Sequence, residues 1–439
     1  MNVALVCDWY APRLGGIEVH LEELARQLRQ TGHQVQIITA TPGPRTPGVV
    51  RIPAPLFPGV GVIYTRGGFA ALDAAIASGG FDVVHAHVSI VSPTAIGAAA
   101  LANRRGLPLV VTFHSWIPAM RALTRLVGGA LGSRRWTALF TAVSRRVAHE
   151  VAPCAPGEIL VLPNGVNASA WLRRGQHRLI PPGEIPSAFQ EGQSRLIAPA
   201  KNGSDFQEGQ SRLIEKQQAA TGIGGASPLQ PGRAQYPATD FQGSLTPVGV
   251  SGRLEVVSVM RLNAKKRPFA LLRVIARLKQ LLPAGAGVHL RIVGDGPERK
   301  RLERAIMRRG LSDSVEVLGR RTHEELRALY EDCDAFLLPT IRESFGIAAA
   351  EARCAGLPIV ARGGSGVADW IEQEQDGLLA STDDALADAL HRLITDERLR
   401  ARISEHNRTT TPSMDWPAVL ARHLELYARA IALRRSVSV

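Results

Sequence analysis

The sequence predicts an α/β protein of two doubly wound domains, each a parallel sheet covered by helices. Three observations carry that prediction. Short apolar runs of strand length alternate with helix-period segments from the first residues onward. The alternation stops in a stretch of different composition at 173–251 and then resumes. The chain, at 439 residues, is also longer than one ordinary core accommodates. Apolar strands interleaved with crossover helices make a parallel sheet buried on both faces.

The first domain is placed at 1–172, with strands expected at 3–7, 34–40, 49–52, 82–87, 109–114, 141–143 and 159–162. A Gly-Gly turn precedes a helix expected over 17–31. The first strand leaves no room ahead of it for a secretory leader, so the expected location is cytoplasmic. Residues 173–251 are rich in Gly, Pro, Gln and Ser, and F-Q-E-G-Q-S-R-L-I occurs there twice, starting at Phe189 and Phe206. Two copies fall short of a stacking repeat, and the segment reads as a duplicated, disordered insertion.

The second domain is placed at 252–412. Strands are expected at 255–260, 289–293, 315–318, 335–339 and 358–361, and helices at 268–282, 298–309, 323–330, 344–356 and 385–393. A last helical segment spans 413–435.

Composition narrows the function less than the order of elements does. The net charge is +13, and only six of the 52 basic residues are lysine. Such an arginine excess fits genome composition, or attraction to phosphates, anionic lipid or nucleic acid. Aromatic residues are 5% of the chain, with no interleaved aromatic and basic platform, which argues against a nucleic-acid partner. Cys7, Cys154, Cys333 and Cys354 stand far apart and read as buried thiols of a reducing compartment. No apolar run is long enough to span a membrane.

Sheets of this kind bind ligands beyond the carboxyl ends of their strands. The most informative such place is 339–356, P-T-I-R-E-S-F-G-I-A-A-A-E-A-R-C-A-G. A helix expected from about Ser344 puts the backbone N–H groups of Ser344, Phe345 and Gly346 at its positive end, where an anion is favoured. Glu343 and Glu351 stand eight positions apart, about 12 Å along a helix axis. A nucleotide sugar has that span, with a diphosphate in the middle. Taken alone, the two acids fit surface decoration better, since charged side chains mostly sit at surfaces.

Other strand ends add candidates. Gly15 and Gly16 allow close backbone approach to a ligand, and also fit a plain tight turn. Arg261 and Lys266, in M-R-L-N-A-K-K-R-P, would hold both phosphates of a diphosphate. Gly294, in G-D-G-P, marks a turn first and a ligand contact second. His114 ends the T-F-H strand and is expected to face the cleft. His85 and His87 share one strand face, with packing favoured over a metal because no third ligand is in sight. Asp332-Cys333-Asp334 has a D-x-D spelling but sits at a helix-to-strand junction and reads as structural. No metal site and no cofactor is expected.

The ordered set of motifs resembles the retaining glycosyltransferases of family 4. It comprises G-G-I-E-V-H-L-E-E-L-A from Gly15, D-V-V-H-A-H from Asp82, T-F-H ending at His114, V-S-R ending at Arg145 and L-P-N-G-V from Leu162. The Arg261/Lys266 segment, G-D-G-P and E-S-F-G-I-A-A-A-E complete it. The resemblance implies the GT-B architecture of two Rossmann-like domains, a nucleotide-diphosphate sugar as donor, and a hexose transferred with retention. By position it implies Glu343 on the donor hexose, Glu351 on the ribose, Arg261 and Lys266 on the leaving diphosphate, His114 beside the transferring sugar, and Gly16 at the phosphates. It further implies that the departing phosphate accepts the acceptor's proton, and that the last helix, with Trp416 at its start, crosses back onto the first domain.

Two features depart from the family pattern: the insertion, and G-G-S-G-V-A-D-W-I at 363–371, with Asp369 near the place of the usual acid. The acceptor is expected on the first domain. There Arg121 and Arg125, among Met120, Leu123, Leu126 and Val127, suit either a basic membrane-facing surface or an ordinary amphipathic helix. A peripheral position at the inner membrane face and a lipid-linked acceptor follow from the first of these. The stretch at 7–18 is also similar to N-acetylglucosaminyl-phosphatidylinositol synthases, which suggests a phosphatidylinositol-like acceptor. The rival readings are a nucleotide-sugar epimerase or hydrolase of the same architecture, and a noncatalytic binding protein.

Overall fold

The computed structural model describes residues 1–13, 15–54, 56–57, 60–61, 65–90, 92–117, 120–172 and 252–437. The expected insertion at 173–251 lies outside the described residues.

The first domain runs β1 (Asn2–Cys7), α1 (Gly16–Gln30), β2 (Gln34–Thr39), β3 (Val49–Arg51), a short hairpin of β4 (Leu56–Phe57) and β5 (Val60–Gly61), α2 (Arg66–Ser78), β6 (Val83–Val88) and α3 (Pro93–Arg104). It continues through β7 (Leu109–Phe113), α4 (Met120–Leu131), β8 (Leu139–Ala142), α5 (Arg145–Val151) and β9 (Ile159–Val161). Seven strands form a parallel sheet in the order β3-β2-β1-β6-β7-β8-β9. β1 and β6 are buried along nearly their whole length, as central strands covered on both faces must be. Leu21, Leu24, Ala25 and Leu28 place the apolar stripe of α1 on that sheet.

The second domain runs β10 (Gly252–Val259), α6 (Pro268–Leu281), β11 (Ala286–Val293), α7 (Arg299–Arg308), β12 (Val315–Gly319), α8 (His323–Glu331) and β13 (Ala335–Leu338). It ends with α9 (Ile347–Cys354), β14 (Ile359–Arg362), β15 (Gly377–Ala380), α10 (Asp383–Thr395) and α11 (Glu397–Thr409). Its sheet is parallel, in the order β12-β11-β10-β13-β14-β15. Strand order reverses between β1 and β6 in one sheet and between β10 and β13 in the other. Those switch points open crevices at the strands' carboxyl ends.

The closing helix α12 (Trp416–Val437) returns to the first domain. Val166 N–H donates to Met414 O at 2.9 Å and Trp416 N–H to Val166 O at 3.1 Å. Farther along, the Tyr427 hydroxyl meets His85 Nδ1 at 2.9 Å and Arg434 Nε donates to Gly106 O at 2.9 Å. One apolar core is continuous from β1 through Trp171 and Tyr330 to Phe336 and Ala349, so the domains share buried surface. Among the described residues no helix is long and apolar enough to cross a membrane.

Candidate functional site

The chain leaves β13 through the turn that carries Glu343. The helix behind it starts later than the sequence suggests: Gly346 is the N-cap, with φ +85°, and α9 begins at Ile347. A residue at positive φ cannot continue a right-handed helix, so Ser344 and Phe345 lie in the preceding turn. Their N–H groups therefore do not form the helix's positive end, and the axial separation of Glu343 and Glu351 expected for one continuous helix does not carry over. Phe345 is buried against Trp370, whose Nε1–H donates to Phe345 O at 2.9 Å. A Cβ on Gly346 would overlap Val367, so the turn needs glycine for space as well as conformation.

Lys266 and Glu343 meet directly, Nζ to Oε2, at 2.6 Å. Glu343 is 12% exposed, so this is a sheltered ion pair. The next residue, Arg267, adopts a left-handed conformation at φ +58°. Its guanidinium is tied to both oxygens of Asp383, at 2.9 and 2.8 Å, and to Pro339 O at 2.8 Å. Arg273 and Arg362 share the same carboxylate. This cluster fixes the backbone on both sides of the Lys266–Glu343 pair.

The glycines of G-D-G-P serve the approach of the neighbouring strand end. Gly294 and Gly296 have φ of +132° and +157°. A Cβ on either would fall onto the backbone carbonyl of Met260 or Leu262. Leu262 N–H donates to Asp295 O at 2.9 Å and Glu298 N–H to Leu262 O at 3.0 Å, which pins the segment carrying Arg261. Across the cleft, Gly15 is the N-cap of α1, and a Cβ on Gly16 would lie 3.2 Å from Ile347 Cδ1. The first-domain turn thus abuts the start of α9. Glu18, buried and paired with Arg13 at 3.2 Å, stands there too. Burial raises its carboxyl's pKa, while its own amide, Arg13 and Arg261 pull it back.

Glu351 lies on α9, with a side chain 12% exposed and His323 Nε2 3.9 Å away. Burial pushes its carboxyl up to about 8, so near neutrality it holds its proton. Trp171 closes this corner against Tyr330 and His323. Asp369 faces the other domain: its Oδ2 accepts the Arg145 N–H at 2.5 Å. Burial between the domains raises the Asp369 carboxyl to about 6, opposed by the Arg145 amide and charge.

His114 follows β7 at the cleft side of the sheet, but its ring is turned inward, with the residue 7% exposed. It joins His20, His85, His87 and His423 in one buried cluster against Trp416 and Tyr427. His87 Nδ1 and His114 Nε2 are 2.9 Å apart, and His85 bridges Tyr427 and Thr112. Burial holds all five neutral, His114 down at about 3 and His423 at about 4. Among the described residues no group of three or more His, Cys, Asp or Glu is arranged to hold a metal ion. In the D-x-D segment, Asp334 exchanges backbone and side-chain bonds with Glu255.

The two arginines of α4 divide. Arg121 donates from Nη1 to His149 O at 2.6 Å, inside the domain, because α5 ends beneath it. It is committed to packing, so the expected surface role falls to Arg125, which is exposed beside Leu126 at 73% and Leu123 at 41%. Sequence reasoning missed His20, His423, Glu18 and the Arg267–Asp383 pair. Glu18 and His20 were within reach, standing inside the quoted G-G-I-E-V-H motif; His423 was not, since α12 supplies it from the far end of the chain.

Comparison with known proteins fits this geometry. The family described as Glycosyltransferase Family 4 matches residues 14–170, and that described as Glycosyl transferases group 1 matches residues 249–410. A D-inositol 3-phosphate glycosyltransferase of Salinispora arenicola is 26% identical over 95% of this chain and 88% of its own length. Sucrose-phosphate synthase from Thermosynechococcus elongatus shares the fold with a TM-score of 0.63 at 17% identity, over 98% of this chain and 99% of its own. HepE of Anabaena, solved with UDP and glucose, does so with a TM-score of 0.58 at 17% identity, over 100% and 99%. The two family matches, one on each doubly wound domain, establish that the chain belongs to the retaining glycosyltransferases of family 4, with GT-B architecture and sugar transfer from a nucleotide sugar as its reaction.

Proposed function

We propose that this glycosyltransferase moves a hexose from a uridine-diphosphate sugar to a hydroxyl of an inositol-phosphate-type acceptor presented at a membrane surface. The observation that carries the donor half is the Lys266–Glu343 pair at the second sheet's switch point, opposite the Gly15-Gly16 turn. In this reading Glu343 holds hexose hydroxyls, and Lys266 and Arg261 take up the charge that develops as the diphosphate leaves. Preorganised cations of this kind are worth on the order of a few kcal/mol of transition-state stabilisation each. Glu351, kept protonated by burial, can both donate to and accept from ribose hydroxyls. The departing phosphate receives the acceptor's proton, so no protein base is required, and contact between the domains keeps water from the oxocarbenium-like centre. HepE's complex with UDP and glucose supports the base and sugar.

The acceptor half is supported by the name of the Salinispora relative and by the exposed Leu123, Leu126, Arg125, Arg134 and Arg135 around α4. Apolar side chains beside cations suit an anionic lipid surface. A panel of nucleotide sugars against inositol phosphate and phosphatidylinositol vesicles tests both halves. Turnover with UDP-hexoses, reduced at least about 100-fold in Lys266→Ala, is expected. Full turnover in that variant would remove Lys266 from the donor site. Flotation with phosphatidylinositol vesicles at low salt should depend on Arg125 and Leu126; absence of any binding would overturn the membrane half.

A further inference from the structure

We propose that Asp369 is a positioning residue: by accepting the Arg145 N–H across the seam between the domains, it sets where the Glu343 turn stands over the first domain. This deepens the donor reading and rests on Glu343 belonging to the donor site.

The turn at 363–371 and the turn that carries Glu343 behave as one piece. Gly366 N–H donates to Glu343 O at 2.7 Å, and Trp370 Nε1–H donates to Phe345 O at 2.9 Å. A Cβ on Gly366 would fall onto Ser344 O, so the two segments pass in backbone contact. Glu343, Ser344 and Phe345 thus all meet this turn through their carbonyl groups. Any shift of the 363–371 turn carries Glu343 with it.

The other side of that piece faces the first domain. The same Cβ position on Gly366 lies 3.0 Å from Ser144 Oγ, and Asp369 Oδ2 accepts the Arg145 N–H at 2.5 Å. Ser144 is fully buried, and its hydroxyl accepts the Val147 N–H at 3.3 Å at the start of α5. The Arg145 N–H lies in the first turn of α5, where no carbonyl of the helix itself can reach it. Asp369 supplies the acceptor from the second domain, and a carboxylate holds an N–H more strongly than a neutral oxygen does. Where the sequence departs from the family pattern, the acid therefore serves the seam.

Arg145 is a fixed point of the first domain. Val143 N–H donates to Phe113 O at 3.1 Å, which ties the end of β8 to the residue before His114, and β8 pairs in parallel with β7 from Val110 to Phe113. The Asp369 bond thus joins a point registered to the ends of β7 and β8 with a turn bonded to Glu343. Four further ties hold the closing segment instead: Val166 and Ala168 bond to Met414 and Asp415, His85 to Tyr427, and Gly106 to Arg434. None of these four touches the donor turn, so they do not replace the Asp369 bond. An error of about 1 Å in the placement of a reacting group can lower a rate about 100-fold, even when the change lies away from the chemistry.

The experiment combines turnover of UDP-glucose, with inositol phosphate as acceptor, and a distance between the domains in the full-length protein. The distance is read by double electron–electron resonance from spin labels on Arg104→Cys in α3 and Arg398→Cys in α11, both exposed, the native cysteines being buried. Asp369→Ala should broaden the distance distribution and lower kcat at least about tenfold, with the KM for UDP-glucose within about twofold of the parent's. Asp369→Asn keeps an acceptor oxygen at the same reach and should retain both the narrow distribution and turnover within about threefold. Parent-like turnover in Asp369→Ala overturns the proposal, as does lost turnover with an unchanged distance distribution. An Asp369→Asn variant as slow as Asp369→Ala, with the parent's distance, would assign the carboxylate to the substrate and overturn it too. If UDP-glucose is inert even with the unmodified protein, that result counts against the donor reading, and the distance distributions of the Ala and Asn variants decide this one.

Discussion

Glu351 shows how burial can convert an acid into a neutral hydrogen-bonding group. Its carboxyl is raised from 4.5 to about 8 by loss of hydration. The folded state therefore holds a proton that the unfolded chain releases, and stability falls as pH rises from about 4.5 to about 8. Glu351→Gln removes that penalty. Its urea midpoint should match that of the unmodified protein at low pH and exceed it at pH 8.5, where its unfolding free energy is larger by on the order of a few kcal/mol. Equal midpoints at pH 8.5 would show that the carboxyl is not desolvated. The same neutrality makes the amide a fair substitute for ribose binding, so UDP affinity by titration calorimetry should fall much less in Glu351→Gln than in Glu351→Ala. Unchanged affinity in Glu351→Ala would take Glu351 out of the nucleotide site. The sequence supplied the residue and its place on a helix; the protonation state depends on burial, which only the fold brings about.

At the scale of elements, the start of α9 is the most demanding junction. Gly346 combines φ +85° with contact to Val367, so a methyl group there meets both backbone strain and a filled space. Gly346→Ala should cost roughly 1–3 kcal/mol, read as a lowered melting temperature. It should also loosen the turn at 366–369, whose Gly366 N–H donates to Glu343 O at 2.7 Å, and so lower turnover through Glu343. A variant as stable and active as the parent would show that the turn relaxes freely.

The strands were legible because each central one is a short apolar run, from Val3 in β1 to Leu338 in β13, bounded by turn residues. β15 was not, since Gly377–Ala380 is four residues long at a sheet edge. The helix start was misplaced because positive φ at Gly346 answers to Val367, which no local pattern announces. Arg121 and Arg125 look alike in sequence and differ only because α5 ends under one of them.

For the whole molecule, the histidine cluster makes acid the natural denaturant. His20, His85 and His87 come from α1 and β6, His114 follows β7, and His423 arrives on α12, so protonating them disturbs the seam joining the closing helix to the first domain. All five have lowered pKa values, first through desolvation and then, in varying degree, through repulsion from other rings or nearby cations. Below the unfolded value near 6.5 the unfolded chain binds these protons and the folded state refuses them. Their contribution is thus fully present above pH 6.5 and is lost as pH falls toward the folded values, about 4 for His423 and about 3 for His114. His33, His149 and His406 shift the same way. Four carboxyls, Asp8, Glu18, Glu351 and Asp369, are raised and oppose the trend, but eight histidines outnumber them. Urea midpoints followed by tryptophan fluorescence should therefore drop steeply between about pH 6.5 and about pH 4.5, each net proton contributing about 1.4 kcal/mol per pH unit. His20→Phe keeps an aromatic ring stacked on Trp416 while removing one titrating group, so its slope should be shallower by about one proton. A slope identical to the parent's would mean that His20 is protonated equally in both states. A flat profile in the parent would mean that the cluster opens to water before it unfolds, and that α12 is not what seals it.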